Sequence, residues 1–429
     1  MFISFIEKNK EKIFILILLA LFFYRSPFIF LNGRFMAEEG SVYFANAYKF
    51  DFLYSLLFVD FTSGYFNLWS NISGIIANLF DLKFAPLVSN YLALIPKILI
   101  IILALYSKSI LLTQFHHKVL FCLLVFLSPL NVPEIWMNSI NSQIFFGIIA
   151  FILILIHYEK SKVNYFHLIL ITISGFSGIY SCILLPAFFL KYLIYKSKQN
   201  LLNFLCIFVC TSIQLILISY GKLSNILYEG KIHVINFDLI TNYIYNVLIK
   251  AFLGTSFTKF LYYNYLSSNL NLYLISIIII LSFVIVSFFL YNFLIKNTIL
   301  NPKNKFIIIL VIYSLIATSL VVMTGGVGDY VGGRYAALPS FYLLTTVLVF
   351  YIFCSNFGIK FIFLFLLATS ILTGIYEFRP SVNNVNYQYL KYLDCMGCPN
   401  WQNEITKFEI DKNYRLKIWP YPKKAMYLN

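Results

Sequence analysis

The stretch Pro86–Tyr106 reads PLVSNYLALIPKILIIILALY, twenty-one residues with Lys97 as their one charge. As a helix rising 1.5 Å per residue it measures about 30 Å, the thickness of bilayer hydrocarbon. Its apolar residues run on without the period of two that a half-buried strand requires, so a closed membrane barrel is excluded as well. Runs of the same kind recur near 13–31, 119–130, 144–157, 166–190, 201–220, 272–295, 306–323, 338–354 and 361–376, with a more moderate one at 65–80. Their recurrence decides the fold class, an all-α polytopic transmembrane bundle of roughly ten to twelve membrane segments.

Composition agrees. The chain is 60% hydrophobic and 11% charged with a mean hydropathy of +0.81, whereas soluble domains carry about 25% charged residues. The net charge of +15 is mostly lysine in short connectors. That fits a basic cytoplasmic face against anionic lipid better than nucleic acid, which is not expected as a partner. Seven cysteines show no zinc-type pairing of two CxxC units. Cys395 and Cys398 form a single CxxC, readable as a local disulfide or as two free thiols.

Lys8, Lys10 and Lys12 precede the first run and read as a retained start anchor with a cytoplasmic N-terminus. Residues 1–378 form the bundle, with outer regions at 32–64, 221–271 and a Gly-rich loop at 324–338. Residues 379–429 form a short polar extracytoplasmic tail, expected to pack on the outer face. In the first outer region Val42, Ala45, Phe50, Leu53, Leu56 and Leu57 suggest an amphipathic surface helix. The run at 166–190 carries Ser174–Gly178 (SGFSG) in its middle and lysines on both flanks. The flanks share one side only if the run folds back as two half-helices. A parity problem is left at 65–80: if that run crosses fully, the basic connector 108–118 falls on the outer side.

There is no Walker lysine loop, no dinucleotide GxGxxG, no HExxH and no cytoplasmic DxD pair, so a soluble nucleotide-sugar donor is not expected. Three outer stretches carry candidate chemistry. Glu38 and Glu39 follow the first span in a chain with only 17 acidic residues. They read either as a solvated loop end or as a carboxylate placed in an outer mouth, able to act as a general base. Arg334, ahead of Tyr335 and behind five glycines, either snorkels to headgroups or clamps a phosphate bidentately, with Asp329 orienting it. Trp136, Asn138, Asn141 and Gln143 either form a capping turn or bind a sugar, the amides on hydroxyls and the indole on a ring face.

Taken in order, an N-terminal anchor, an acidic pair just after it with Tyr43 downstream, many spans and a polar outer tail resemble the GT-C superfamily of integral-membrane glycosyltransferases. That superfamily includes the protein O-mannosyltransferases and the aminoarabinose transferase of lipid A. Glu38 stands where the first carboxylate of those enzymes is usually Asp. Gly64-Tyr65, Asn138–Gln143, Arg334-Tyr335 and Ile418-Trp-Pro420 are similar in order to motifs of uncharacterised bacterial multispan proteins.

The resemblance implies an inverting transferase in the bacterial inner membrane. It would pass a sugar from a polyprenyl-phosphate carrier to an envelope glycan or lipid acceptor on the extracytoplasmic side. Glu38 or Glu39 would be the base, Arg334 and Tyr335 would hold the donor phosphate, and Asn138, Asn141, Gln143, Trp136 and Asp329 would hold sugar or acceptor. No resident cofactor is expected, and a divalent metal stays open. An O-antigen polymerase or ligase, and a flippase or transporter of lipid-linked glycan, are the alternatives. The absence of arginine from 221–271 and the few charges inside spans argue against them.

Overall fold

The computed structural model describes residues 2–224, 237–267, 302–325, 333–379, 400–420 and 424–429. It is built almost wholly of helices. Five are long and apolar enough to cross a membrane: α6 (Ala85–Tyr106), α11 (Lys198–Leu223), α14 (Pro302–Gly325), α15 (Arg334–Phe353) and α16 (Phe357–Tyr376). Shorter apolar helices fill the centre: α7 (Phe115–Leu127), α8 (Ser142–Leu155), α9 (Tyr165–Phe176) and α10 (Leu185–Tyr195). The chain opens with α1 (Phe2–Arg25) and α2 (Pro27–Asn32). The run near 272–295 lies outside the described residues.

Every residue of α8 is buried, and it packs between α6 and α9 with α10 and α15 against it. A helix apolar on all sides has no face to offer water, so it can only be central. Its last carbonyls are closed by Lys191 of α10, whose ammonium donates to Leu153 O at 3.1 Å and Ile156 O at 2.7 Å. A cation at a helix C-terminus satisfies open carbonyls and the dipole together.

The glycine break at 174–178 does split the run into α9 and α10. The two ends meet: Lys198 N–H donates to Lys160 O at 3.1 Å, and Asn164 N–H donates to Gln199 Oε1 at 2.6 Å. The lysine flanks are therefore on one side, as their charge required. The tip of this hairpin reaches the opposite end of the bundle, where Ser177 Oγ accepts from Trp69 N–H at 3.2 Å.

That contact bears on the run at 65–80. The run at 65–80 becomes α5 (Leu68–Asn78), eleven residues and so about 16 Å long. It stays at the hairpin-tip end, tied to the two short helices before it, α3 (Ala45–Lys49) and α4 (Phe52–Leu57). Asn71 Nδ2 donates to Leu56 O and Phe58 O, and Asn78 Nδ2 to Ala47 O. The apolar face expected at 42–57 is divided between these helices, with Phe50, Phe52, Leu53, Tyr54 and Leu57 exposed. The basic connector at 108–114 joins the other end, pairing with 155–157 through Ile110 N–H to Leu155 O and His157 N–H to Lys108 O.

The described part of the tail forms a second, smaller core on the first loop. Helix α17 (Trp401–Ile410) and the antiparallel pair β1 (Leu416–Lys417) and β2 (Ala425–Met426) pack Trp401, Ile405, Phe408, Leu416 and Met426 on Phe35 and Phe44. Ala37 N–H donates to Trp419 O, and Trp419 N–H to Phe35 O at 3.2 Å. Cys395 and Cys398 lie outside the described residues.

Close helix approach sets one sharp constraint. A Cβ on Gly374 of α16 would stand 1.6 Å from Leu127 O at the end of α7, while one on Gly358 would meet nothing nearer than 3.5 Å. Gly374→Ala is expected to lower stability by about 1–3 kcal/mol, the cost of overpacking a filled site, and Gly358→Ala to leave it unchanged. Thermal unfolding of the two purified variants measures the difference.

Candidate functional site

At the hairpin-tip end the chain makes a wide π-helical turn over Glu39–Phe44, immediately after Glu38. The two carboxylates part company there. Glu39 is 2% exposed and takes three donors from three segments. Its Oε2 accepts Met36 N–H at 3.1 Å, and its Oε1 accepts Ser89 Oγ–H of α6 at 2.8 Å and Ser139 N–H at 2.7 Å. Burial pushes the Glu39 carboxyl up, the three donors pull it back, and it stays above its usual range.

Glu38 points the other way, into the open side of the cluster. Its Oε1 is 2.9 Å from Lys424 Nζ at the end of the tail, and both side chains are partly exposed. Burial pushes the Glu38 carboxyl up, but the Lys424 hydrogen bond and the charges of Lys424 and Arg334 outweigh it and hold it below the usual carboxylate range. Adjacent residues in a turn cannot share a direction, and here one is bound inside while the other reaches solvent.

Arg334 begins α15. Its backbone N–H donates to Glu134 Oε2 at 3.2 Å, its Nε lies 3.6 Å from Glu134 Oε1, and a terminal N–H donates to Tyr335 Oη at 3.2 Å. Glu134 thus caps the helix start and balances the guanidinium, leaving a third of the Arg334 side chain exposed. Beside them Gln143 Nε2 donates to Tyr65 Oη at 2.8 Å. Burial pushes the Tyr65 phenol up, with Arg334 and the Gln143 bond opposing, so Tyr65 remains a neutral hydroxyl. Tyr180, from the hairpin tip, feels the charges of Arg334 and Glu134 in turn. Glu38, Tyr65, Glu134, Gln143, Tyr180 and Arg334 therefore form one electrostatically linked group drawn from five separate stretches of chain.

The remaining predicted positions stand elsewhere. Trp136 is wholly buried: its Nε1–H donates to Ser26 Oγ at 2.8 Å, Phe22 meets it edge-on, and the Arg25 guanidinium lies 4.5 Å from its ring centre. No ring face is left for a sugar. Asn138 and Asn141 spend their amides on the turn itself. Asn138 Nδ2 donates to Glu134 O at 2.7 Å, Asn141 Nδ2 to the same carbonyl at 2.9 Å, and Asn138 Oδ1 accepts Asn141 N–H at 3.0 Å. Both amide nitrogens are turned on their own backbone, while neither side chain caps α8. Asp329 lies outside the described residues.

Sequence reading passed over Glu134, Lys424 and the polar pair Ser89-Asn90. The last had a visible signal, two adjacent polar residues inside the apolar run 86–106. Asn90 takes Arg34 N–H on its Oδ1 at 2.7 Å and donates to Arg34 O and Met137 O, sewing α6 to both site loops. Strain concentrates here too, since Ala37 and Met137 both have positive φ, 46° and 52°. Such backbones cost about 1–3 kcal/mol each and persist only where surroundings enforce them. Among the described residues no group of three or more His, Cys, Asp or Glu side chains could hold a metal.

No family model matches the chain, and neither curated proteins nor solved structures give a match.

Two outcomes follow from this geometry. Glu39→Ala strands two buried N–H groups, those of Met36 and Ser139, at about 1–3 kcal/mol for each buried group left unpaired, and chemical or thermal unfolding will show a correspondingly large loss. Lys424→Ala removes the cation that holds the Glu38 carboxyl down, so its titration moves to higher pH. Carbodiimide labelling of Glu38, followed by mass spectrometry across pH 3–8, reads that midpoint directly; the labelled, protonated form should persist to higher pH in the variant.

Proposed function

We propose that this protein is a membrane glycosyltransferase that moves a sugar from a polyprenyl-phosphate carrier to an envelope glycan or lipid acceptor. The observation that carries the reading is that a partly exposed carboxylate, Glu38, and a partly exposed arginine, Arg334, stand at one end of an apolar bundle within electrostatic reach of each other, each with its own ion-pair partner. Glu38 and Arg334 come from distant parts of the chain, and the arginine's charge acts on the carboxylate. On this reading the bundle spans the bacterial inner membrane with its lysine-flanked end cytoplasmic and the Glu38 end extracytoplasmic, and its likeness to GT-C enzymes extends to the outer loops.

Glu38 is the base and Glu39 the structural anchor beneath it. The acceptor hydroxyl gives its proton to Glu38 as its oxygen attacks the anomeric carbon. The bond from that carbon to the carrier phosphate breaks on the opposite face, inverting the centre, and the charge of the departing phosphate falls to Arg334. Glu38 bound to Lys424 is a weak base, so an incoming acceptor has to displace the ammonium before proton transfer. Gln143 and Tyr65 offer hydroxyl-binding groups; Trp136, Asn138 and Asn141 drop out of the binding role.

One observation favours a second reading. Arg25 and Lys97 are both buried beside Trp136, where Lys97 Nζ donates to Ala93 O at 3.1 Å and Arg25 donates to Asn131 O. Charges inside the bundle are therefore less sparse than the run-by-run count suggested, and intramembrane cations are also what a transporter of anionic lipid-linked glycan needs.

Lipid and glycan profiles of a deletion strain separate the two. Transfer predicts loss of one sugar with accumulation of the polyprenyl-phosphate sugar, whereas flipping predicts retention of unmodified precursor on the inner leaflet. In a reconstituted assay Glu38→Gln is expected to lower turnover about 100-fold or more, the usual contribution of a general base. A normally inserted Glu38→Gln protein that transfers at the wild-type rate would remove Glu38 from the mechanism.

A further inference from the structure

The outward side of α4 is made of Phe52, Leu53, Tyr54 and Leu57, each half exposed or more, with Phe50 exposed just before it. Its inward side is fixed. Ser55 is buried and its hydroxyl donates to Asn46 O at 3.4 Å, while Asn71 Nδ2 of α5 holds Leu56 O and Phe58 O. The helix therefore cannot roll to hide its apolar residues. A contiguous face of large apolar side chains marks a surface that something covers.

A second exposed group adjoins it. Helix α5 ends at Asn78, whose amide donates to Ala47 O of α3 at 2.8 Å, and the corner that follows exposes Leu79, Phe80 and Phe84. Ala85 then opens α6, which is long and apolar enough to cross a membrane. The start of such a helix lies where hydrocarbon gives way to headgroups, so the corner stands at that level. Below it the exposed flank continues along α6 through Tyr91 and Ile95. Exposed lysines accompany the rings: Lys49 ends α3, and Lys83 Nζ lies 4.9 Å from the Phe84 ring centre. Aromatic rings rimmed by ammonium groups are the composition of the membrane–water boundary. A protein covering this face would have to sit astride the bilayer edge, where lipid already lies against α6.

We infer that α4 and the α5–α6 corner form a foot set into the headgroup layer at the hairpin-tip end, with the lipid bilayer as its partner. It differs from a single surface helix over 42–57, because half of it comes from 79–84 and asparagine side chains join the two halves. The foot is also tied to the acidic turn. Ring centres step inward from Phe50 to Tyr54 at 4.6 Å, on to Phe58 at 6.4 Å and to Tyr43 at 6.4 Å, within the turn that starts at Glu39. A Cβ on Gly74 of α5 would stand 2.8 Å from Tyr43 O, so α5 rests directly on that turn. The height of Glu38 relative to the bilayer is thus set by the foot, whatever reaction Glu38 serves.

The test uses the full-length protein in nanodiscs whose lipids carry bromine either near the headgroup or at the middle of the acyl chain. Phe52→Trp and Phe80→Trp each add one emitting ring to the four tryptophans of the chain, whose own signal is subtracted. Ile410→Trp, at the exposed end of α17, is the water-facing control, and Ile95→Trp, on the flank of α6, the deep one. Both foot positions should be quenched by the shallow bromines about twofold or more above Ile410→Trp, and more by shallow than by deep bromines. Quenching no stronger than that of Ile410→Trp overturns the inference. So does a depth profile matching Ile95→Trp, which would put α4 inside the hydrocarbon.

Hydroxyl-radical labelling of the wild-type protein in the same nanodiscs needs no variant to fold. Tyr54 and Tyr427 are matched in exposure, at 51% and 48%, but only Tyr54 belongs to the foot. Slower modification of Tyr54 supports the foot, and equal rates overturn it. Protection of Tyr54 without quenching at Phe52→Trp identifies a protein cover, a second copy of the chain included, and overturns the assignment to lipid.

Discussion

The whole site end hangs on the buried carboxylate of Glu39. It gathers an N–H from the first loop, a hydroxyl from α6 and an N–H from the turn before α8. None of these donors has another partner recorded in so dry a place except Ser89, which also shares a hydrogen bond with Ser73 of α5 at 2.9 Å. Four elements are thereby registered to each other by one side chain. Hydrogen bonds to an ionised group hold geometry more firmly than neutral ones, and in a low dielectric each broken one is felt. The neighbouring Glu38 is partly exposed because Glu39 is not: the backbone that drives one carboxylate into the protein necessarily turns the next one out.

Around this anchor the interior is unusually rich in cations. Arg25 and Lys97 are accommodated by carbonyls and by the faces of aromatic rings, with Lys97 Nζ 4.0 Å from the Phe145 ring centre. Aromatic faces partly replace lost hydration of a cation without contributing a counter-charge.

The gross architecture was legible because hydrocarbon thickness writes itself into run length, and the lysine flanks of 166–190 were enough to demand a hairpin. The crossing number was harder. Residues 65–80 look like a weak span, and only Asn71 and Asn78, bonded to carbonyls of the preceding surface helices, show why the segment stays at one end. The acidic pair and Arg334 stood out by their rarity, yet sequence could not separate the two glutamates, whose fates differ through contacts a hundred residues away at Ser139. The amide-rich turn misled for a plain reason. Asn138 and Asn141 have the same donors whether they face a sugar or their own backbone, and the choice depends on the tight turn at Met137. Lys424 carried no local signal at all, since its importance comes entirely from where the tail is laid down.

That placement bears on the order of assembly. Glu38 emerges from the ribosome early, while its ammonium partner follows 386 residues later. The strand-like pairing of Trp419 with Met36 closes a loop of nearly the same size. Through most of synthesis the segment after α2 must therefore persist with its acidic pair and its Phe35–Phe44 surface not yet covered by the tail. It is steadied first by α6 and then by Ser139, well before the tail arrives. Closing so long a loop late is slow because its ends must find each other after the intervening helices have settled. Competence at this end of the molecule is then timed by the docking of the tail, and a population with the bundle complete but the tail still undocked is a natural stage in the protein's maturation.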